Sequence, residues 1–209
     1  MLYEYQFGFR KGWGPEEVVV KVINNICKGL DGCNGITGIL YDFSKALDLV
    51  EHKILIEKLA YYGVEREAIK LLESYLTNRK QYVEINNQKS SVETVQYGFP
   101  QEPVLGALFF SVYINDIKRL QLFGKLVMFA DDINVFYPYK CETVLKAHME
   151  YDTAMITKYA RINRLSLNAG KTKILRFRPN AVINKNFSTY VDGKVVEESF
   201  DTKYLAVNL

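Results

Sequence analysis

The chain has 209 residues, of which 48% are hydrophobic and 24% are charged. These ordinary fractions exclude disordered, collagen-like and low-complexity proteins, and the length suits one sizeable domain rather than several. The net charge of +3 permits a nucleic-acid partner without requiring one. The three cysteines and two histidines show no zinc-ligand spacing, which favours an intracellular, reducing setting over a disulfide-rich secreted one.

No segment of the sequence resembles a membrane anchor or a secretion signal. The longest apolar run, Val104 to Ile114, is shorter than the roughly 18–20 residues that a membrane-spanning helix needs. The first residues, Met1 to Tyr5, contain no basic region followed by an apolar stretch. We therefore expect a protein of the nucleus or cytoplasm.

Hydrophobic periodicity predicts helices and strands along the whole chain. Pro15 suits a first helical position, and apolar residues from Val18 to Leu30 recur at helical spacing. Residues 36–42 then read as a buried strand that ends on an acid. The next predicted elements are helices over 52–62 and 65–76, a hairpin over 81–96 with a turn longer than two residues around Asn86-Asn87, and one long helix over 104–120.

The second half of the chain predicts further hairpins around one long helix. Residues 126–129 and 133–137 are apolar and flank Ala130-Asp131-Asp132, which predicts two strands joined by an acidic turn. A helix is expected over 142–164, and short strands follow it, with a turn at Asp192-Gly193. Mixed helices and hairpins predict an α+β fold rather than a parallel doubly wound sheet.

Three carboxylates stand at the ends of predicted strands. Asp42 closes the strand over 36–42, and Asp131 and Asp132 occupy the tip of the later hairpin. If the two strands are neighbours in one sheet, these carboxylates converge at one edge. Carboxylate oxygens suit Mg²⁺, and two such ions can activate a primer hydroxyl and stabilise a leaving pyrophosphate. The alternative is an ordinary solvated turn, because aspartate is a common turn residue.

A group of basic residues follows the long helix, with Tyr159 and Phe177 interleaved. Such a group is typical of a groove that follows a nucleic-acid backbone. An exposed connection between a helix and a strand explains it equally well. The basic residues are Arg161, Arg164, Lys171, Lys173, Arg176 and Arg178.

Seven segments, taken in order, resemble the reverse transcriptase domain of non-LTR retrotransposons. Each segment is unspecific alone, but their order is specific, and the resemblance covers most of the chain. It implies a polymerase fingers-and-palm core in a single domain over 1–209, with an antiparallel palm sheet packed on helices. The segments are Gln6–Gly12, Tyr41–Asp48, Tyr75–Val83, the pocket-lining motif Gly98–Gln101 with Val104–Gly106 and Tyr113–Asp116, Phe129–Asp132, Leu165–Lys173, and Lys203–Val207.

The resemblance implies an RNA-directed DNA polymerase that transfers nucleotides to a primer 3′-hydroxyl by a two-metal mechanism. Its partners would be an RNA template, a DNA primer and deoxynucleoside triphosphates, and its cofactor two Mg²⁺ ions, with Mn²⁺ as a substitute. The implied roles are metal ligation and catalysis by Asp42, Asp131 and Asp132, general acid catalysis by Lys171, a nucleotide and template pocket lined by Lys45, Leu47, Phe99, Pro100 and Gln101, and a primer grip at Tyr204 and Leu205.

The sequence departs from the family pattern at several of these motifs. Glu102-Pro103 stands where Gly-Ser is usual, which adds a carboxylate beside the triphosphate and stiffens the backbone. Leu47 replaces an aromatic residue that excludes a ribose 2′-hydroxyl, so sugar discrimination is expected to be relaxed. The endonuclease and the thumb are expected to be absent. These departures favour the alternative, a catalytically inactive retroelement relic that at most binds nucleic acid.

Overall fold

The computed structural model describes residues 2–10, 12–30, 35–99, 103–178, 187–199, 203–204 and 207–208. Helices and strands are interspersed along these residues, as the α+β prediction requires. In chain order the elements are α1 (Pro15–Leu30), β1 (Gly35–Tyr41), α2 (His52–Tyr61), α3 (Arg66–Leu76), β2 (Lys80–Gln81), β3 (Glu84–Ile85), β4 (Gln88–Lys89), β5 (Glu93–Thr94), α4 (Pro103–Tyr113), a 3₁₀ helix (Asn115–Arg119), β6 (Lys125–Phe129), β7 (Asp132–Tyr139), α5 (Glu142–Ile162), β8 (Lys173–Phe177), β9 (Ser188–Val191), β10 (Lys194–Glu197), β11 (Lys203–Tyr204) and β12 (Val207–Asn208).

The largest sheet has four antiparallel strands in the order β6-β7-β1-β8. The hairpin of β6 and β7 lies against one side of β1, and β8 lies against the other. Strand β1 is therefore central, and six of its seven residues are buried. A strand that is covered on both faces reads as a continuous apolar run, which explains why the sequence predicted it so clearly.

Helices cover both faces of this sheet. On one face, Ile39 and Tyr41 of β1 pack in a large core with residues of α2, α4 and α5. On the other face, Ile36 of β1 packs in a smaller core with Val18 and Val22 of α1. Because successive side chains of a strand point to opposite faces, alternate residues of β1 enter the two cores.

The predicted long helix over 104–120 is two helices in the structure. Helix α4 ends at Tyr113, and the chain tightens into the 3₁₀ helix that starts at Asn115. Asparagine and aspartate bind backbone and side-chain groups outside the helix, and here Asn115 Oδ1 accepts the Tyr3 N–H at 2.7 Å while Asp116 pairs with Lys58 at 2.8 Å. None of the helices in the described part of the chain is long and apolar enough to cross a membrane.

The hairpin predicted over 81–96 is confirmed, with paired strands over residues 80–94, but its turn contains only two residues. Ile85 pairs with Gln88, so only Asn86 and Asn87 form the turn. Both have a positive φ, 51° and 63°, as a type I′ turn requires, and asparagine tolerates this conformation. The predicted longer turn was wrong because the extra residues interrupt the strands instead and separate the β3–β4 pair from the β2–β5 pair.

Leu55→Ala is expected to lower the free energy of unfolding by about 2–5 kcal/mol, because it leaves a cavity in the large core. Leu55 of α2 is fully buried there, whereas Leu71 of α3 is 70% exposed. The matched control Leu71→Ala is expected to change stability by less than about 0.5 kcal/mol. Urea denaturation measures both values, and equal losses would contradict the placement of the core.

Candidate active site

The sheet register brings Asp42 to the tip of the β6–β7 hairpin. Tyr41, the last residue of β1, lies opposite Ile133, so Asp42 follows at the level of Asp132. Phe129 pairs with Asp132, which leaves Ala130 and Asp131 as the turn. The structure therefore brings the three predicted carboxylates to one end of the sheet.

The two strand-end carboxylates belong to the sheet face that points away from α4 and α5. Tyr41 and Phe43, which flank Asp42, both pack in the large core, so alternation assigns Asp42 to the opposite face. The same argument applies to Asp132, which precedes the core residue Ile133. Asp42 and Asp132 are partly buried, and Asp131 at the turn is exposed.

The carboxylates repel one another. Burial, followed by the charges of Asp131 and Asp42, raises the pKa of Asp132 to about 6. Burial also raises the pKa of Asp42, with a further contribution from Asp131, while Lys171 and a hydrogen bond from Asn168 oppose the rise. A cation at this end of the sheet would relieve the repulsion.

The donor set fits a hard divalent cation. Oδ1 of Asp42 is buried and has no hydrogen-bond partner among the described residues, and Asp131 and Asp132 add carboxylate oxygens nearby. Within the described ranges, no group of three or more acidic, histidine or cysteine side chains is arranged so that it could hold a metal ion by itself. The three aspartates supply oxygen donors of the type that Mg²⁺ prefers, and water and substrate oxygens would have to supply the remaining ligands.

The loop that carries Lys171 is fixed against the strand end at Asp42. Ser44 N–H donates to the Ser166 carbonyl and Asn168 N–H donates to the Asp42 carbonyl, both at 2.8 Å. The Asn168 carbonyl in turn accepts the N–H groups of Lys171 and Thr172 at 3.1 and 2.9 Å, which closes a tight turn. Lys171 is exposed on this turn, close enough to Asp42 for its charge to lower the pKa of that carboxyl.

The predicted pocket residues Lys45, Leu47 and Phe99 lie on two segments that pack together. Lys45 has a φ of 48° in the turn after β1, and Leu47 in the same turn is 42% exposed. Gly98 packs so closely on this turn that a Cβ would lie 2.8 Å from the Asp48 carbonyl oxygen. Phe99 is partly buried, with its ring centroid 5.5 Å from that of Phe109.

The remaining predicted pocket and primer-grip residues are described only in part. Pro100 and Gln101 lie outside the described residues. Tyr204 lies in β11 and pairs with Val207 of β12, and Leu205 lies outside the described residues. Their roles stay predictions.

The segment Tyr113–Asp116, which the resemblance assigned to the pocket motif, packs into the scaffold instead. The Tyr113 hydroxyl donates to the Asn163 carbonyl at 2.7 Å, and the Tyr159 hydroxyl donates to Asp116 at 2.6 Å. Lys58 pairs with Asp116 at 2.8 Å, so this segment connects α2 to α5 on the sheet face that is covered by the large core.

The group of basic residues is partly neutralised by carboxylates. Its arginines pair with carboxylates, and the side chain of Arg176 is fully buried, in contact with Glu142 and Tyr139. Arg161, Arg164, Lys171 and Lys173 are exposed. The arginine pairs are Arg161 with Asp192, Arg164 with Glu51, Arg176 with Glu142 and Glu198, and Arg178 with Glu198.

Sequence reasoning gave no individual role to Gln6 or Asn168. Asn168 holds the Lys171 turn, and Gln6 is a fully buried polar residue that contacts Ala130 at the tip of the hairpin. The only sequence signal for Gln6 was its place in the first family motif, two residues before Gly8.

A family model described as reverse transcriptase (RNA-dependent DNA polymerase) matches residues 2–209. The chain belongs to this family. The resemblance inferred from the ordered motifs is therefore confirmed.

Transposon proteins are among the relatives of this chain. It is 30% identical over 221 residues to the "Probable RNA-directed DNA polymerase from transposon X-element" of Drosophila melanogaster, covering 99% of this chain and 23% of the relative. It is 27% identical over 223 residues to the "Probable RNA-directed DNA polymerase from transposon BS" of the same species, covering 100% and 24%. The chain thus spans about a quarter of the length of these relatives.

Telomerase structures share the fold. The telomerase of Candida albicans matches with a TM-score of 0.62 and 13% identity, over 94% of this chain and 34% of the telomerase. Apo telomerase of Candida tropicalis matches with a TM-score of 0.59 and 12% identity, over 87% and 35%. These similarities agree with a polymerase palm and fingers fold.

Asp132→Asn is expected to stabilise the protein at neutral pH. The folded protein holds the Asp132 proton up to about pH 6, whereas the unfolded chain loses it near 3.8. The free energy of unfolding therefore falls as the pH rises through this window, because the folded state binds more protons. The variant is expected to exceed the wild type by on the order of 1 kcal/mol near pH 7.5 and to converge with it near pH 4.

Urea unfolding at the two pH values measures the difference for Asp132→Asn. A difference that is the same at both pH values would contradict the raised pKa.

Proposed function

We propose that this chain carries the catalytic centre of an RNA-directed DNA polymerase of retroelement origin. The observation that carries the proposal is the convergence of Asp42, Asp131 and Asp132 at one end of an antiparallel sheet. The matched family and the names of the transposon relatives support the same reaction. We further propose that residues 1–209 form one fingers-and-palm unit that works in the nucleus or cytoplasm.

Reverse transcriptases use divalent metal ions. We propose that Asp42 and Asp131 would be the main ligands of two Mg²⁺ ions, or of Mn²⁺ as a substitute, with Asp132 in support. When bound, such a pair of ions activates the attacking hydroxyl and stabilises the leaving pyrophosphate. The buried Oδ1 of Asp42, which has no hydrogen-bond partner in the described part of the chain, and the mutual repulsion of the carboxylates support this assignment.

Lys171 is the proposed proton donor to the pyrophosphate. Its turn is tied to the Asp42 carbonyl through Asn168, so the ammonium group stays near the carboxylates while it remains exposed to substrate. Its positive charge would also attract the triphosphate. An ammonium group suits general acid catalysis when it lies within hydrogen-bond reach of the group it protonates.

The partners proposed for this centre are an RNA template, a DNA primer and deoxynucleoside triphosphates. The Candida albicans telomerase, which shares the fold, was solved with a fragment of telomeric RNA. We propose that Lys45, Leu47 and Phe99, with Pro100 and Gln101, contact the nucleotide and template. The proposed primer grip consists of Tyr204 and Leu205.

Pro103 is compatible with the helix that follows the pocket motif. It is the first residue of α4, where a proline needs no hydrogen-bonded N–H and its fixed φ suits a helix. The helical position of Pro103 therefore weakens the expectation that its stiff backbone impairs catalysis. The alternative, an inactive relic that at most binds nucleic acid, rests chiefly on Glu102 and Leu47.

Primer extension on a homopolymer RNA template with Mg²⁺ tests the proposal. We expect extension by the wild type and a loss of at least about 100-fold in Asp131→Asn, because a metal-ligand oxygen is replaced by an amide. The matched control is Asp192→Asn, which makes the same chemical change in the two-residue turn between β9 and β10. It is expected to keep wild-type activity.

A third variant, Glu102→Gly with Pro103→Ser, separates a working enzyme from a decayed one. Activity only in this variant would locate the defect at Glu102-Pro103. If neither the wild type nor this double variant extends the primer, while circular dichroism shows that both are folded, the polymerase proposal for this chain is wrong. Binding of an RNA–DNA duplex, unchanged in Asp131→Asn, would then support the relic.

Leu47→Phe is expected to improve discrimination against ribonucleotides. Leu47 is exposed in the turn after Asp42, and a larger, rigid ring there would crowd a 2′-hydroxyl. The ratio of kcat/KM for a deoxynucleotide to that for the matching ribonucleotide is expected to rise about tenfold or more. Leu71→Ala, an exposed leucine of α3, serves as the control. An unchanged ratio would place Leu47 outside the sugar pocket.

A further inference from the structure

We propose that Gln6 is a positioning residue that fixes the turn carrying Asp131 and Asp132. This inference rests on the proposed function, because it assigns to Gln6 the placement of the carboxylates that would hold the metal ions. Gln6 touches none of the carboxylates in the contacts described. It acts through the backbone of Ala130.

The side-chain amide of Gln6 binds both backbone polar groups of Ala130. Its Oε1 accepts the Ala130 N–H at 3.1 Å, and its Nε2 donates to the Ala130 carbonyl at 3.2 Å. The same Oε1 accepts the Gly8 N–H at 2.9 Å. The Gln6 side chain is fully buried, so these bonds do not compete with solvent.

Ala130 needs this support because its backbone conformation is strained. It has a φ of 55° at the first position of the two-residue turn between Phe129 and Asp132. A turn with a positive φ at this position favours glycine, because a Cβ there is crowded. The hydrogen bonds from Gln6, which lies outside the hairpin, stabilise the positive φ of Ala130, which alanine does not favour by itself.

The segment that carries Gln6 is itself anchored to β6. Phe7 N–H donates to the Met128 carbonyl and Met128 N–H donates to the Tyr5 carbonyl, both at 2.9 Å. On its other side, Arg10 Nη1 donates to the carbonyls of Tyr3, Glu4 and Gln6 at 3.2–3.4 Å. Gln6 is thus anchored by contacts that do not involve the turn itself.

Gly8 shows independently that the contact is close. A Cβ on Gly8 would lie 2.0 Å from the Ala130 nitrogen, so only glycine lets the loop reach the turn. Three residues of the first family motif therefore serve the same contact in this chain. Gln6 forms hydrogen bonds to the turn, Gly8 leaves space for the turn backbone, and Arg10 binds the carbonyls of the segment that carries Gln6.

The test compares Gln6→Met, which keeps the length of the side chain and removes its polar atoms, with the control Gln121→Met at an exposed position. Binding of Mn²⁺ to the full chain without nucleic acid, measured by electron paramagnetic resonance, reports the carboxylates directly. Because residues that orient metal ligands typically contribute 10–100-fold to affinity, we expect Gln6→Met to weaken Mn²⁺ binding by about 10–100-fold. The control is expected to match the wild type.

Three further readouts separate positioning from a general structural role. The Ala130 amide is expected to lose hydrogen-exchange protection in Gln6→Met while the β7 amides keep theirs. In primer extension, kcat is expected to fall while KM for the nucleotide stays within about twofold, because the nucleotide pocket is untouched. Ala130→Gly, added to Gln6→Met, is expected to restore Mn²⁺ affinity because glycine adopts the turn without help.

If Gln6→Met does not fold, Gly8→Ala replaces it, since it displaces the same loop.

Unchanged Mn²⁺ affinity in folded Gln6→Met would overturn the inference, as would a loss that Ala130→Gly fails to restore. In either case, primer extension by the wild type would leave the proposed function standing. A wild-type chain that neither binds Mn²⁺ nor extends a primer would instead remove the proposed function, and the role of Gln6 with it.

Discussion

The antiparallel pairing of β1 with β7 is the constraint on which the candidate active site depends. It places Asp42, at the end of one strand, beside a turn that lies far away in sequence. The pairing is secured by burial on both faces, since β1 and β7 contribute side chains to the large core and to the smaller core under α1. Apolar packing thus determines where three mutually repelling carboxylates meet, and this packing opposes their repulsion.

The parts of the fold that the sequence predicted are those with a local signal. Strand β1 and the strands of the β6–β7 hairpin are apolar runs that each meet an aspartate at one end, and α1 has a first-position proline and a regular apolar face. The break after Tyr113 was missed because it depends on partners distant in sequence, Tyr3 and Lys58. The type of the Asn86-Asn87 turn was missed because the interrupted strands made it look longer.

The meeting of the carboxylates was predictable from the ends of the apolar strands, whereas Lys171 was predicted through the order of the family motifs. The ion pairs around the site could not be predicted, because the sequence shows which residues are charged but not which of them are paired. Arg176 counted as one of a basic group, yet in the fold it is buried against Glu142 and Glu198. Whether an arginine faces solvent or a carboxylate is decided by strand pairing across the molecule, which periodicity along the chain does not encode.

The contact between Gln6 and Ala130 joins residues 124 positions apart in the chain. Contacts of such long sequence separation close large loops and form late relative to local helices and hairpins. A ribosome must therefore synthesise the whole span from the first loop to the β6–β7 hairpin before the turn can acquire its final shape. During synthesis, helices α1 to α4 can therefore be complete before the hydrogen bonds from Gln6 fix the backbone of the hairpin turn.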